Sequence, residues 1–379
     1  MAKEILYIDG VTGLGEHEGD AWPYAQRFQV PMGDGDGIRN HIFKNEGRFF
    51  SDALGGDYNV YYGEESYIYP KNKSTGFYPW IQFGCWMQWG TKPNYDVFPF
   101  YGYRNTTALW YAYTGIFRKG KPYLPEYNNV YFKTSWIYPP DTDVDMGVTF
   151  GPIVPKQWFW HEARIYCHTS SGIAEFRLNG TGIGRITGVK TVNTAGTSPP
   201  TGEIKMNGAN FFYPDWYSNT YNVKYDDMYV MFADTEGELD WVGKGVCEPL
   251  YVNGDGAEIM ATPIGPTSHA SVEFPVNDIL YVTATAGERD CYSFSNLESD
   301  RTRTVHGVKV TARARRGYPG TATIRCYCRV SGSNYYGDTH YLSPEWREYI
   351  HIWAQNPDTS TAWTREDLDA AQFGFERVA

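Results

Sequence analysis

The feature that most constrains this chain is a period of two. Val308, Val310, Ala312 and Ala314 interleave with Lys309, Thr311, Arg313 and Arg315. After Arg316-Gly317-Tyr318-Pro319-Gly320, the residues Ala322, Ile324, Cys326, Cys328 and Val330 interleave with Thr321, Thr323, Arg325, Tyr327 and Arg329. Successive side chains of an extended strand point to opposite faces, so such a run buries one face and wets the other. The pattern predicts an antiparallel hairpin with one dry face and one basic face, the latter carrying Lys309, Arg313, Arg315, Arg325 and Arg329. Earlier in the chain, Phe159, Ala163, Ile165 and Cys167 alternate with Trp158, Trp160, Glu162, Arg164 and Tyr166, and His161 interrupts the apolar side. Past Ser170-Ser171-Gly172, the residues Ala174, Phe176 and Leu178 alternate with Glu175 and Arg177, and Asn179-Gly180 signals a two-residue turn. Met228, Val230 and Phe232 against Asp227, Tyr229 and Met231 make a further strand.

Composition agrees with strands throughout. Aromatic residues make up 17% of the chain, and 40 Gly and 22 Pro supply turns; the expected class is all-β. One short helix is predicted, with Thr364 as N-cap, Asp367 completing a capping-box arrangement, Leu368 and Ala371 turned inward, and Gly374 ending it. A length of 379 residues exceeds one ordinary core. The expected layout is a large antiparallel sandwich over residues 1–245, a linker over 246–267, and a smaller sandwich with the helix over 268–379. Pro249, Gly254-Asp255-Gly256, Pro263 and Gly265-Pro266 mark the linker.

A net charge of −11 argues against nucleic-acid binding by the whole surface. Met-Ala-Lys-Glu does not open a secretory signal, and Pro79, Gln82, Gly84 and Gln88 interrupt the aromatic stretch Phe77–Trp89, so no membrane span is expected. The six cysteines contain no C-x-x-C pair and are read as buried thiols of a protein made in a reducing cytoplasm.

Glycoside hydrolysis needs two carboxylates flanking a cleft. Glu236, Glu238 and Asp240 have strand-face spacing but follow Asp234-Thr235 in a turn, so a solvated turn is the reading taken. Asp141-Thr142-Asp143-Val144-Asp145 begins like a calcium loop, yet Met146 stands where Gly is required and Pro152 where the bidentate Glu belongs. A polar turn is favoured there and at Gly33–Gly37, with loosely bound calcium as the alternative. His161-Glu162 lacks a second His, and no nucleophile elbow or phosphate loop occurs. No catalytic residue, metal ligand or cofactor is therefore assigned, and the expectation is a protein without enzymatic activity. Tyr61, Tyr62, Tyr67, Tyr69, Tyr78, Trp80, Trp86 and Trp89 crowd one region. Of these, Tyr67, Tyr69, Trp80, Trp86 and Trp89 are taken, with the basic face, as a surface for a ligand or partner.

Several segments together resemble a family of phage virion proteins: Ile5-Leu6-Tyr7-Ile8-Asp9-Gly10, Trp160-His161-Glu162 through Arg177-Leu178-Asn179-Gly180, Tyr225-Asp226-Asp227-Met228-Tyr229-Val230, and Trp353–Val378 with Asn356-Pro357, Ala362-Trp363-Thr364 and Gln372-Phe373-Gly374-Phe375. The resemblance spans most of the chain through short motifs in a fixed order, and says least over residues 11–150. It implies a concanavalin-like (laminin-G-like) jelly roll followed by a small β-domain. It further implies a structural role in a tail or on a capsid surface, among other virion proteins, as a homo-oligomer that attaches to the host surface. It transfers no catalytic residues. A glycan-binding adhesin or a glycanase on the same scaffold is the alternative, and a host surface glycan the corresponding partner.

Overall fold

A computed structural model describes residues 4–9, 40–43, 53–56, 65–68, 79–89, 97–105, 109–118, 130–138, 142–153, 157–166, 168, 170–189, 203–207, 223–268, 271–272, 280–297 and 304–379. The chain divides into two compact units, Met1–Cys247 and Glu248–Ala379.

The first unit is built of antiparallel strands: β1 (Glu4–Asp9), β2 (Asn40–Phe43), β3 (Ala53–Gly56), β4 (Glu65–Ile68), β5 (Trp80–Trp89), β6 (Val97–Asn105), β7 (Leu109–Arg118), β8 (Val130–Tyr138), β9 (Thr142–Ile153), β10 (Trp158–Tyr166), β11 (Gly172–Leu178), β12 (Thr181–Val189), β13 (Glu203–Asn207) and β14 (Val223–Ala233). One sheet runs β12-β11-β10-β5-β14-β3-β2, with β1 also on β14; the other runs β4-β13-β6-β7-β8-β9. Sequence neighbours such as β5 and β6 lie in different sheets, which gives the crossing connections of a jelly-roll-like sandwich. The all-β class expected from the alternation is what the chain adopts.

The hairpin of β10 and β11 and the next strand β12 form as the sequence predicts. Asn179 (φ 50°) and Gly180 (φ 85°) both take the left-handed region, as a two-residue turn matched to strand twist requires. On one face of this sheet Ile81, Phe83, Cys85, Met87, Phe159, Ala163, Ile165, Phe176, Val230 and Phe232 are buried together, and His161 lies among them. Its neighbours leave it no solvent, and burial holds its imidazole down at about 3, so it is neutral in the fold. Asp143 and Asp145 lie within β9, not in a turn, which corrects the loop expected there. Gly33–Gly37 falls outside the described residues.

The second unit contains β15 (Val252–Ile259), β16 (Thr262–Ile264), β17 (Tyr281–Thr283), β18 (Arg289–Phe294), β19 (Val308–Ala314), β20 (Thr323–Val330), β21 (Ser333–Tyr341), β22 (Arg347–Trp353), α1 (Arg365–Ala370) and β23 (Gln372–Arg377). A sheet β15-β18-β23-β20-β21 packs against the ribbon β19-β22, with β16-β17 as a separate small ribbon. Two expectations are corrected. The stretch 246–267 is not a linker: β15 pairs with β18 inside the main sheet, because Gly256 lets its backbone lie directly on that of Cys291. Nor do residues 308–330 form a hairpin. β19 pairs with β22, while β20 pairs with β21 and β23. The turn at 315–321 carries the chain from one layer to the other, so the two apolar faces meet across the core. Cys326, Cys328, Val330, Trp353, Trp363, Leu368, Ala371 and Phe373 make that core, with Val308, Val310 and Ala312 packed on it.

Helix α1 has the predicted cap: the Thr364 side chain accepts from the Asp367 N–H, and the Asp367 carboxylate accepts from the Thr364 N–H. Such a cap stabilises by roughly 1 kcal/mol. The helix ends at Ala371, however, and Gly374 belongs to β23. The described cysteines are free thiols. Cys85, Cys291, Cys326 and Cys328 are buried and Cys247 is partly so, while Cys167 lies outside the described residues. Among the described residues no helix is long and apolar enough to cross a membrane.

Candidate functional site

Two surfaces were candidates for a site, and the structure treats them differently. The first is the polar face of the sheet containing β5, β10 and β14. Register places Trp160 opposite Trp86, Glu162 opposite Gly84 and Arg164 opposite Gln82. The centre of this face is closed off from solvent, because the segment after β14, residues 234–247, lies across it. Gln82 Nε2 donates to the Asp240 carbonyl at 2.8 Å, Trp86 Nε1 to the Gly245 carbonyl at 2.7 Å, and Arg164 to the Leu239 carbonyl. In return the Gly243 N–H donates to Glu162 Oε1 at 3.1 Å and the Cys247 N–H to Asp227 Oδ1 at 2.8 Å. Asp227 can reach the strap because β14 bulges between Asp226 and Tyr229, with Asp227 at φ 49° and its N–H held by Asp226 Oδ1.

Below the strap, Tyr229 donates to Glu162 Oε1 at 2.8 Å and accepts from Gln82 at 2.9 Å, while Gln82 Oε1 accepts from Arg164. Burial raises the Glu162 carboxyl, opposed by the Tyr229 hydroxyl and strap N–H donors. Burial likewise pushes the Tyr229 hydroxyl well up, helped by the adjacent Glu162. Glu236 pairs with Arg185 at 3.0 Å and Arg164 at 3.6 Å, and Glu238 accepts from the Asp234 and Thr235 N–H groups at the start of a short 3₁₀ turn. The indole of Trp241 lies under both Arg164 and Arg177, their guanidinium carbons 4.2 and 4.1 Å from its centre. Gln82, Trp86, Glu162, Arg164 and Asp227 each bond the backbone of the strap, so a large ligand reaches them only by displacing the chain's own backbone.

The second surface is the outer face of the ribbon β19-β22. Directly paired residues of an antiparallel pair share a face. Val308, Val310 and Ala312, with their partners Trp353, His351 and Tyr349, face the core. Lys309, Thr311 and Arg313, with Ile352, Ile350 and Glu348, face outward. One step beyond the last outward pair, the Arg315 guanidinium carbon stands 5.0 Å from the centre of the Trp346 ring, and that of Arg313 stands 5.9 Å from it. The Tyr281 ring meets Trp346 edge-on at 5.9 Å. Arg313 and Arg315 are exposed, Trp346 and Tyr281 half-buried. Ile264, across from Tyr281 in the small ribbon, and Leu280 are exposed beside them.

The predicted surface residues are thus dispersed. Trp80 and Trp86 are buried, at 7% and 6% exposure, which removes them from any open platform; Trp80 packs on Tyr166, and Trp86 bonds the strap 159 residues away in sequence. Tyr67 and Trp89 lie on β4 and β5, and Tyr69 is outside the described residues, as are Tyr61, Tyr62 and Tyr78. Lys309, Arg313 and Arg315 stay together. Arg325 and Arg329 are on the other layer, where Arg325 holds Glu376 through two donors at 2.9 and 2.7 Å and stacks on Tyr336, and Arg329 holds Asn334 near Glu258. Splitting the supposed hairpin between layers splits its basic face as well. Trp346 and Tyr281 were missed by sequence reading. Trp346, Glu348, Ile350 and Ile352 alternate with Arg347, Tyr349, His351 and Trp353, so both faces look apolar and the period does not say which is outward. Among the described residues no cluster of His, Cys, Asp and Glu is arranged to hold a metal ion.

No family model and no curated protein matches the chain. Solved structures do. Alginate lyase Aly36B is similar at a TM-score of 0.42 and 12% identity, over 60% of this chain and 97% of that one. An endo-β-1,4-glucuronan lyase from the fungus Trichoderma reesei follows at a TM-score of 0.36 and 10% identity, over 54% and 93% of the two chains. A carbohydrate esterase from Shiga toxin-encoding bacteriophage phi24B is similar at a TM-score of 0.37 and 11% identity, over 52% and 88%. These likenesses concern the fold. They correct the expectation of a protein without enzymatic activity, since the solved structures similar to this chain include lyases and an esterase.

Proposed function

We propose that the chain recognises a glycan, and that it does so through the outer face of β19-β22. The observation that carries this reading is the exposed Arg315 lying over the half-buried Trp346 beside Tyr281, at the end of the β19-β22 ribbon. An indole offers a flat apolar surface for the C–H face of a sugar ring, and a guanidinium fixed above an aromatic ring offers donors whose direction is already set. The strap across the first unit's polar face supports the same choice, since it leaves that face to the protein's own backbone. The phage-particle setting rests on the sequence resemblance. In that setting the surface is one for host attachment, on a protein held in the virion by other particle proteins and by copies of itself.

A glycan array probed with the whole chain tests the reading. Binding to at least one glycan class is expected, with affinity at least tenfold weaker for Trp346→Ala. Binding that is indifferent to Trp346→Ala, or no binding to any glycan, contradicts it.

A further inference from the structure

We infer that the ligand is a linear acidic polysaccharide, with carboxylates along its length, laid along β19. This rests on the glycan reading above and narrows it to one chemical class.

Cations recur along one side of a straight strand. Lys309, half-buried, and the exposed Arg313 and Arg315 recur at alternate positions, with Thr311 between Lys309 and Arg313. At roughly 3.3 Å per residue the series from Lys309 to Arg315 spans about 20 Å. That is the footprint of a run of sugars, not of one terminal residue. Neutral sugars would gain only ordinary hydrogen bonds from these cations, whereas a guanidinium matches a carboxylate with two parallel, charge-assisted donors.

Local acids grade the track. Glu348 stands opposite Arg313 in the ribbon, and Glu345 lies 3.9 Å from Arg347. Arg315 has Trp346 across from it instead of a carboxylate, so the strongest carboxylate position coincides with the aromatic one. A sugar stacked near Trp346 brings its own carboxylate within reach of Arg315, and its neighbours follow the strand toward Lys309. Arg325 and Arg289 add nothing to the track, because they lie on the opposite layer, paired with Glu376 and Glu258.

Overall charge selects among polyanions. The chain carries −11, so approach of any polyanion is opposed at long range. Duplex nucleic acid, with about one charge per 1.7 Å, pays most. A polysaccharide with about one carboxylate per sugar pays far less and still meets the local cations.

The test uses the full chain against three probes: polygalacturonate, the same polymer with its carboxylates reduced to alcohols, and double-stranded DNA. Calorimetric titration is run at low and at 0.5 M salt, with wild type, Arg315→Gln, Trp346→Ala and Arg325→Gln. The expected result is binding of polygalacturonate that weakens at least tenfold at high salt, at least tenfold in Arg315→Gln and in Trp346→Ala, and under twofold in Arg325→Gln. The reduced polymer should bind at least tenfold more weakly than its parent, a comparison that stands even if a variant fails to fold. Equal binding of the two polymers, lost in Trp346→Ala, overturns the acidic class and leaves glycan recognition standing. Tighter binding of DNA, lost in Arg315→Gln, overturns the inference in favour of a polynucleotide site. Binding of none of the probes overturns the inference; glycan recognition itself then stands or falls on the array.

Discussion

Gly374→Ala removes the second unit's cooperative unfolding transition. Gly374 sits in β23, the central strand of the five-stranded sheet, opposite Cys291 on β18 and Tyr327 on β20. A Cβ there would overlap the Asp290 carbonyl oxygen and lie 2.8 Å from the Cys291 Cα, both backbone atoms. Neither can give way, because the Asp290 side chain is pinned in its turn. Its carboxylate accepts from the Met260 and Ala261 N–H groups at 2.7 and 2.8 Å, from Ser268 Oγ at 2.7 Å and from the Tyr292 hydroxyl at 2.8 Å. Relief means prying two central strands apart, at a cost above about 4 kcal/mol. A domain of this size has only roughly 5–15 kcal/mol in all. Gly254→Ala is the matched control, because its added Cβ would meet nothing closer than the Ser293 Cβ at 3.9 Å. Differential scanning calorimetry of the whole chain should show the second unit's transition lost in the first variant and kept in the second. Equal effects would show that the close approach at Gly374 is not what holds the sheet.

The first unit should be acid-labile through one residue. His161 is fully buried among Cys85, Phe83, Phe176 and Leu178, with the Phe176 ring stacked at 6.2 Å. In the unfolded chain its imidazole takes up a proton near the ordinary 6.5; in the fold it does so only near 3. Between those values the unfolded state binds more protons, so the contribution is fully present above pH 6.5 and is lost as pH falls toward 3. At about 1.4 kcal/mol per unit, the loss is on the order of 4–5 kcal/mol. His161→Leu keeps the volume and removes the titration. Urea melts from pH 7 to pH 4 should show wild type losing stability more steeply than His161→Leu. Parallel curves would mean that acid lability comes from the carboxylates instead.

Legibility from sequence followed the range of the interactions. Asn179-Gly180 and the Thr364–Asp367 cap are local devices, closed within a few residues, and both were readable. Strand periodicity was readable too, since alternation is a property of each strand alone. What alternation does not carry is the identity of the partner. The runs at 308–314 and 323–330 have the pattern of a hairpin, yet each has its strand partners elsewhere, and only the core between them is shared. The same limit hid the fate of Glu162 and Arg164. Their positions on the polar face of β10 suggest exposure, and their burial is decided by a strap some 75 residues on. Arg315 was named among the surface residues, but Trp346, which positions it, lies 31 residues further along and has no signature of its own.

The claim at the centre of this account is that the glycan lies on the β19-β22 ribbon and not on the strapped face of the first unit. Amide hydrogen exchange of the full chain, with and without a glycan identified on the array, tests it directly. Slowed exchange is expected, confined to residues 309–316 and 345–352, with the strap at 239–247 unchanged. Slowed or accelerated exchange in that strap and in β5 and β10, with the ribbon unchanged, would contradict it and move the site to Gln82, Glu162, Arg164 and Tyr229.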